Sequence, residues 1–127
     1  MLDHITLPVR DLDSARAFYS AALAPLGIGI IMEVRPEQTG GDGYVGFGAD
    51  GKAFFWIGGR NPTGKTHVAF AAKDRASVDA FYEAAIAAGG RDNGAPGLRP
   101  HYHPDYYGAF VLDADGYNIE AVCRLPE

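Results

Sequence analysis

His4-Ile5-Thr6-Leu7-Pro8-Val9-Arg10-Asp11 and His67-Val68-Ala69-Phe70-Ala71-Ala72-Lys73-Asp74 decide the fold, because they are two copies of one pattern. Sliding the chain on itself by 63 residues lays one on the other. Ser14 then meets Ser77, Ala17-Phe18-Tyr19 meets Ala80-Phe81-Tyr82, and Gly27 meets Gly90. Between His4 and Gly27, 10 of 24 pairs are identical. Four are alanine pairs, which composition inflates; the His, Asp, Ser, Phe-Tyr and Gly pairs are not explained that way. A repeat of this length means one supersecondary unit used twice.

Each copy opens with a strand, 3–9 and 66–72, in which Ile5, Leu7 and Val9 or Val68 and Phe70 alternate with the other residues. Asp11 and Asp74 then stand where a helix N-cap belongs. The spacing of Leu12, Ala15, Phe18, Tyr19 and Ala22 predicts a helix over 13–24. Val78, Phe81, Tyr82 and Ala85 predict one over 75–88. Gly27 and Gly89-Gly90 suit the helix ends. Strand-like runs at 28–34, 43–48 and 53–58 complete the first copy. A short strand before a 93–104 loop, then 107–113 and 117–123, complete the second. Ala49-Asp50-Gly51 and Asp113-Ala114-Asp115-Gly116 are hairpin signals. The expected architecture is α+β: two βαβββ modules, about 1–58 and 65–125, within one domain over 1–127. Their mixed sheets are expected to curl around a cleft.

Composition sets the outer limits. The chain has 127 residues with 11 basic and 16 acidic side chains, a net charge of −5. That argues against a nucleic-acid grip, which needs a basic face. No apolar run approaches the ~20 residues of a membrane span, and Asp3 sits where a signal peptide carries lysines. A lone Cys123 excludes an intrachain disulfide and cysteine-clustered zinc. A cytoplasmic protein that binds a small molecule is expected.

The duplicated unit with a His on the first strand of each copy resembles the vicinal oxygen chelate superfamily of glyoxalase I, bleomycin-resistance proteins and type I extradiol dioxygenases. The resemblance rests on Leu2-Asp3-His4-Ile5 with Phe18-Tyr19, on Thr66-His67-Val68-Ala69-Phe70, and on Phe110-Val111-Leu112-Asp113-Ala114-Asp115-Gly116-Tyr117-Asn118-Ile119-Glu120. It implies that His4, His67 and Glu120 are ligands of one divalent metal. Two imidazoles and a carboxylate suit Zn, Fe, Mn, Co or Ni, with positions left open for substrate. A carboxylate in so apolar a strand is costly to bury without a partner, which a metal supplies. The plainer reading is two unrelated strand histidines and a solvated Glu120. Superfamily members of this size commonly pair, so a homodimer is expected, with the cleft built within one chain or between two.

Aligning Asp50-Gly51 with Asp115-Gly116 sets Phe55 against Glu120. The resemblance to glyoxalase I would require a carboxylate there, and Ala53-Phe54-Phe55-Trp56-Ile57 holds none. Three protein ligands resemble the extradiol dioxygenases, yet the Tyr usual in those enzymes is Phe110 here. Arg99-Pro100-His101-Tyr102-His103-Pro104-Asp105-Tyr106-Tyr107 packs two histidines and three tyrosines into nine residues. His101 or His103 is the expected proton carrier there, with Tyr107 orienting; a capping surface loop is the alternative. Phe47, Phe55, Trp56 and Tyr102 are the expected substrate-binding aromatics. Gly59-Arg60-Asn61-Pro62-Thr63-Gly64-Lys65-Thr66 fits the phosphate-loop pattern, but a strand rather than a helix is expected to follow it, so it reads as a linker. The expected function is a metal-dependent enzyme for a small molecule with vicinal oxygens, not glyoxalase I proper. The alternative is a metal-free sequestering protein of the bleomycin-resistance type.

Overall fold

The computed structural model describes residues 1–62 and 64–127, with Thr39 as backbone only. The first copy is β1 (Ile5–Pro8), α1 (Leu12–Leu23), a 3-10 turn (Ala24–Leu26), β2 (Gly29–Val34), the single-turn α2 (Pro36–Thr39), β3 (Tyr44–Ala49) and β4 (Lys52–Gly58). The second is β5 (His67–Ala71), α3 (Arg75–Ala87), β6 (Arg91–Leu98), β7 (Tyr107–Leu112) and β8 (Asn118–Cys123). Each copy makes its own four-stranded sheet, in the orders β1-β4-β3-β2 and β5-β8-β7-β6. β1 with β4 and β5 with β8 are parallel; the other pairs are antiparallel. The architecture is therefore α+β with two mixed sheets, which stay separate rather than closing into one.

The repeated caps work as the repeat implies. Asp11 accepts from the Ser14 amide at 3.1 Å, and Asp74 from the Ser77 amide at 2.8 Å. Each starts its helix by satisfying an orphan N–H. Both helices bury one face against the sheets in a single apolar cluster, with Tyr19, Ala22, Val78 and Phe81 fully enclosed. Across the cluster Phe55 of β4 meets Phe70 of β5 edge-on at 5.1 Å.

Polar ties also join the modules. The buried Tyr19 hydroxyl donates to Asp113 at 2.5 Å, and the Tyr117 hydroxyl donates to the Pro8 carbonyl at 2.6 Å. Asp113 further accepts from the Asp115 and Tyr117 amides at 3.0 and 2.9 Å, which shapes the β7–β8 turn. Burial raises its carboxyl above the ordinary range, against the lowering pull of these donors.

Two departures from the expected elements bear on the site. The first half of the stretch expected as a loop, 93–98, is strand: β6 runs to Leu98 with register shifts between Asp92 and Gly94 and between Gly94 and Gly97. Gly and Pro96 argued for a loop, but on a sheet edge a missing N–H costs nothing and bulges absorb the glycines. The two hairpins also differ. Ala49 pairs with Lys52 around Asp50 and Gly51, whose φ values of 53° and 76° make a tight two-residue turn. Leu112 pairs instead with Asn118, around a longer connection.

Candidate functional site

Glu120 lies on the middle of β8, between Phe110 of β7 and Ala69 of β5. Its neighbours Ile119 and Ala121 enter the core, so strand alternation turns the carboxylate to the sheet's other, open face. There it is only 1% exposed and doubly held. His67 Nε2 stands 2.8 Å from Oε1, and the buried Tyr106 hydroxyl donates to Oε2. Gly108 leaves room for this: a Cβ there would come within 3.2 Å of Oε2. Burial, and then the bond to Glu120, pushes the Tyr106 hydroxyl up to about 12, so it remains a donor at ordinary pH. The Phe110 ring lies 6.1 Å from the imidazole of His67.

His4 does not join this pair within the chain. It precedes β1, where its Nδ1 meets Asp3 at 2.7 Å, and Asp3 is itself bound by Lys52 Nζ at 2.9 Å. Lys52 first, and His4 second, hold the Asp3 carboxyl below its usual range. His4 borders a hollow of about 390 Å³ that also takes in Phe54, Val68 and Phe70. Ala69 and Ala71 line it as well, so the hollow runs along the free edge of β5, and Phe55 also borders it. Among the described residues no three His, Cys, Asp or Glu side chains come together to hold a metal. His67 and Glu120 supply two donors of the right chemistry, and the His4 and His67 side chains are 53% and 51% exposed, open to a third party.

Strand register corrects the aromatic assignments. Phe55 pairs with Ile5, and Trp56 pairs with Thr6. Since Thr6 corresponds to Ala69, and Ala69 pairs with Glu120, the residue that matches Glu120 is Trp56, not Phe55. Aligning the two hairpin turns misleads because one is longer, and a slip of one residue flips every side chain to the other face. Phe47 and Phe55 are accordingly core residues, 0% and 1% exposed; Phe55 packs edge-on against Tyr19 at 5.0 Å. Trp56 is half-buried and packs against Gly46, where a Cβ would come within 2.8 Å of its ring. The corner opposite Glu120 still lacks an acid.

Tyr107 is likewise corrected. It alternates with Tyr106 and faces α3, where its hydroxyl donates to Asp79 at 2.6 Å and Arg75 lies over its ring at 5.2 Å. Tyr106 is the tyrosine of the site. Its phase with Gly108 and Phe110 was the signal, readable only once β7 and β8 are in register. The His101 ring lies 4.2 Å from that of the exposed Tyr102, tilted against it, and Tyr102 meets the Tyr106 ring at 5.1 Å, so this part of the loop reaches the site through one ring. His103 Nδ1 accepts from the Asp105 amide at 3.1 Å, inside the loop. After the phosphate-loop pattern comes β5, with no helix start among the described residues; Thr63 of that pattern lies outside them.

A family model described as the Glyoxalase/Bleomycin resistance protein/Dioxygenase superfamily matches residues 1–121. Among solved structures, a glyoxalase/bleomycin resistance protein from Albidiferax ferrireducens T118 is 28% identical, with 98% of this chain and 99% of that chain covered and a TM-score of 0.76. A glyoxalase/bleomycin resistance protein/dioxygenase family enzyme from Burkholderia phytofirmans PsJN is 20% identical, with 97% and 98% covered and a TM-score of 0.69. Glyoxalase I from Zea mays is 21% identical with a TM-score of 0.71; 96% of this chain covers 45% of that one. No curated protein sequence matches the chain. No described helix is long and apolar enough to cross a membrane.

Proposed function

The chain belongs to the Glyoxalase/Bleomycin resistance protein/Dioxygenase superfamily, and from that premise we propose that it is a metal-dependent enzyme acting on a small molecule with two neighbouring oxygens. The observation that carries this reading is the Glu120 carboxylate, 1% exposed in an apolar strand and 2.8 Å from the half-exposed imidazole of His67. A carboxylate so enclosed needs a cationic partner, and an imidazole nitrogen beside a carboxylate oxygen is donor chemistry for Zn, Fe, Mn, Co or Ni.

His67 Nε2 and Glu120 Oε1 would hold the metal. His4 of a second copy would be the third ligand, because among the described residues His4 of the same chain does not gather with His67 and Glu120. Asp3 engages His4 at Nδ1 and so leaves Nε2 to ligate. A bound metal would act as a Lewis acid on the two substrate oxygens. Tyr106 holds Oε2, so Glu120 is fixed as a ligand and is not a mobile base. Trp56, in the corner matching Glu120, offers an apolar wall and no carboxylate to take a proton. Proton transfer at the substrate falls to the loop histidines. His101 is exposed beside Tyr102, and His103, tied at Nδ1, has Nε2 to offer.

The test is metal content after dialysis against each of these divalent metals, for wild type beside His4→Ala, His67→Ala and Glu120→Gln. One metal per chain in wild type and a large loss in all three variants is expected. Wild type that retains none would overturn the reading in favour of a metal-free sequestering protein. Isomerisation of the glutathione hemithioacetal is expected to be absent or very weak in the reconstituted protein, since no first-copy carboxylate stands opposite Glu120; robust turnover would contradict that.

A further inference from the structure

The open face of the second sheet carries a cation that the site's own groups do not neutralise. Arg99 directly follows β6. Its Nη2 donates to the Ala95 carbonyl at 2.8 Å, and its guanidinium carbon lies 5.4 Å from the centre of the Phe110 ring. Gly94 and Gly97 clear the space: a Cβ on either would come within 3.3 or 3.0 Å of the guanidinium nitrogens. The backbone is fixed too, with the Arg99 amide donating to the Tyr106 carbonyl at 2.7 Å and the Arg99 carbonyl accepting from the Tyr102 amide at 3.0 Å.

Phe110 pairs with Gly94 on one side and Glu120 on the other, and its ring lies 6.1 Å from that of His67. The guanidinium and the His67–Glu120 pair therefore share one aromatic neighbour. Among the described residues no carboxylate lies within 4.0 Å of Arg99, a state it shares with Arg35, Lys65, Lys73, Arg91 and Arg124; of these, Arg124 lies over the Tyr106 ring at 4.9 Å, and Arg99 alone lies over Phe110, the ring that neighbours His67. A guanidinium has five N–H donors in a planar fork suited to two oxygens at once, and among the described residues the Arg99 side chain makes one hydrogen bond. Holding a bare cation in this pose beside a ligand site is the arrangement of an anion receptor.

We infer that Arg99 is the anion-binding residue of the site, and that the substrate carries a carboxylate beside its chelating oxygens. This rests on the reading of the preceding subsection for the place of the chelating oxygens, not for the charge of Arg99.

The test compares pyruvate, lactate and 3,4-dihydroxybenzoate, each with its methyl ester, by NMR titration of metal-free and Zn(II)-loaded protein. Wild type should bind at least one acid about 10-fold or more tighter than its ester, as a charge-assisted pair implies. Arg99→Ala and Arg99→Gln should remove the preference; Gln keeps a donor for Ala95 and a stem against Phe110, so it decides the matter if Ala loosens the loop. Arg16→Ala, which removes the same charge from α1, should leave the preference intact. Acids that bind no tighter than their esters, or a preference that survives Arg99→Gln, overturn the inference. Wild type that binds Zn(II) without acid preference fails the inference alone. Wild type that binds no divalent metal fails the earlier reading, while the metal-free titration still decides Arg99.

Discussion

At Glu120 one carboxylate is enclosed in an apolar strand with a separate partner for each oxygen. His67 and Tyr106 divide its oxygens between them. Tyr106→Phe removes the donor to Oε2 while keeping the ring. It should weaken Zn(II) or Co(II) binding by roughly 10–100-fold, as loss of a ligand's supporting hydrogen bond does; competition against a chromophoric chelator would measure it, and an unchanged affinity would show that Tyr106 does not support the ligand. His67 and Glu120 were legible in the sequence because the repeat sets His on His and strand parity turns Glu120 away from Ile119 and Ala121. Tyr106 was not, since two adjacent tyrosines differ only in which face they take, and that is fixed by the pairing of Phe110 with Glu120. The same ambiguity hid the roles of Phe55 and Trp56. Phe55→Ala should cost about 3–5 kcal/mol by leaving a cavity among Tyr19, Phe47 and Phe70, and Trp56→Ala under about 2 kcal/mol. Denaturant titration that reverses this order would contradict the register.

Among the elements, the repeat made β1, α1, β5 and α3 readable, because each carries its own period and its own Asp cap. β6 was read as mostly loop, since glycines, Asn93 and Pro96 mark turns in a central strand and are tolerated on an edge. The unequal hairpins hid the match between Trp56 and Glu120 for a similar reason: turn residues announce a turn without giving its length. The tie between α1 and the β7–β8 turn was not visible at all, because Tyr19 and Asp113 are far apart in sequence. Tyr19→Phe leaves the buried Asp113 carboxylate without its side-chain donor. It should cost about 1–3 kcal/mol and lower the thermal midpoint by several degrees; calorimetry showing no change would mean that the Asp115 and Tyr117 amides suffice.

Across the whole molecule, the pairing of Tyr107 with Asp79 gives stability a limit at high pH. The bond to Asp79, and then burial, pushes the Tyr107 hydroxyl up to about 12 from an ordinary 10.0. Once unfolded it ionises near the ordinary value, so the stability it contributes is fully present below pH 10 and lost as pH rises toward 12. Thermal midpoints measured across that window should fall, and fall less steeply in Tyr107→Phe. The broader question is whether one copy of this chain makes a complete site. With His67 and Glu120 on the open face of the second sheet and His4 apart from them, the proposed metal site would be completed in a homodimer whose clefts draw on both copies. The most direct test mixes His4→Ala chains with Glu120→Gln chains, unfolds and refolds them together, and counts bound Zn(II). Each variant alone should hold almost none. The mixture should regain about a quarter of the wild-type sites, because random pairing makes half the dimers mixed and each mixed dimer keeps one intact site of two. A mixture that binds no more metal than its parents, although wild type binds one per chain, would contradict a site shared between copies.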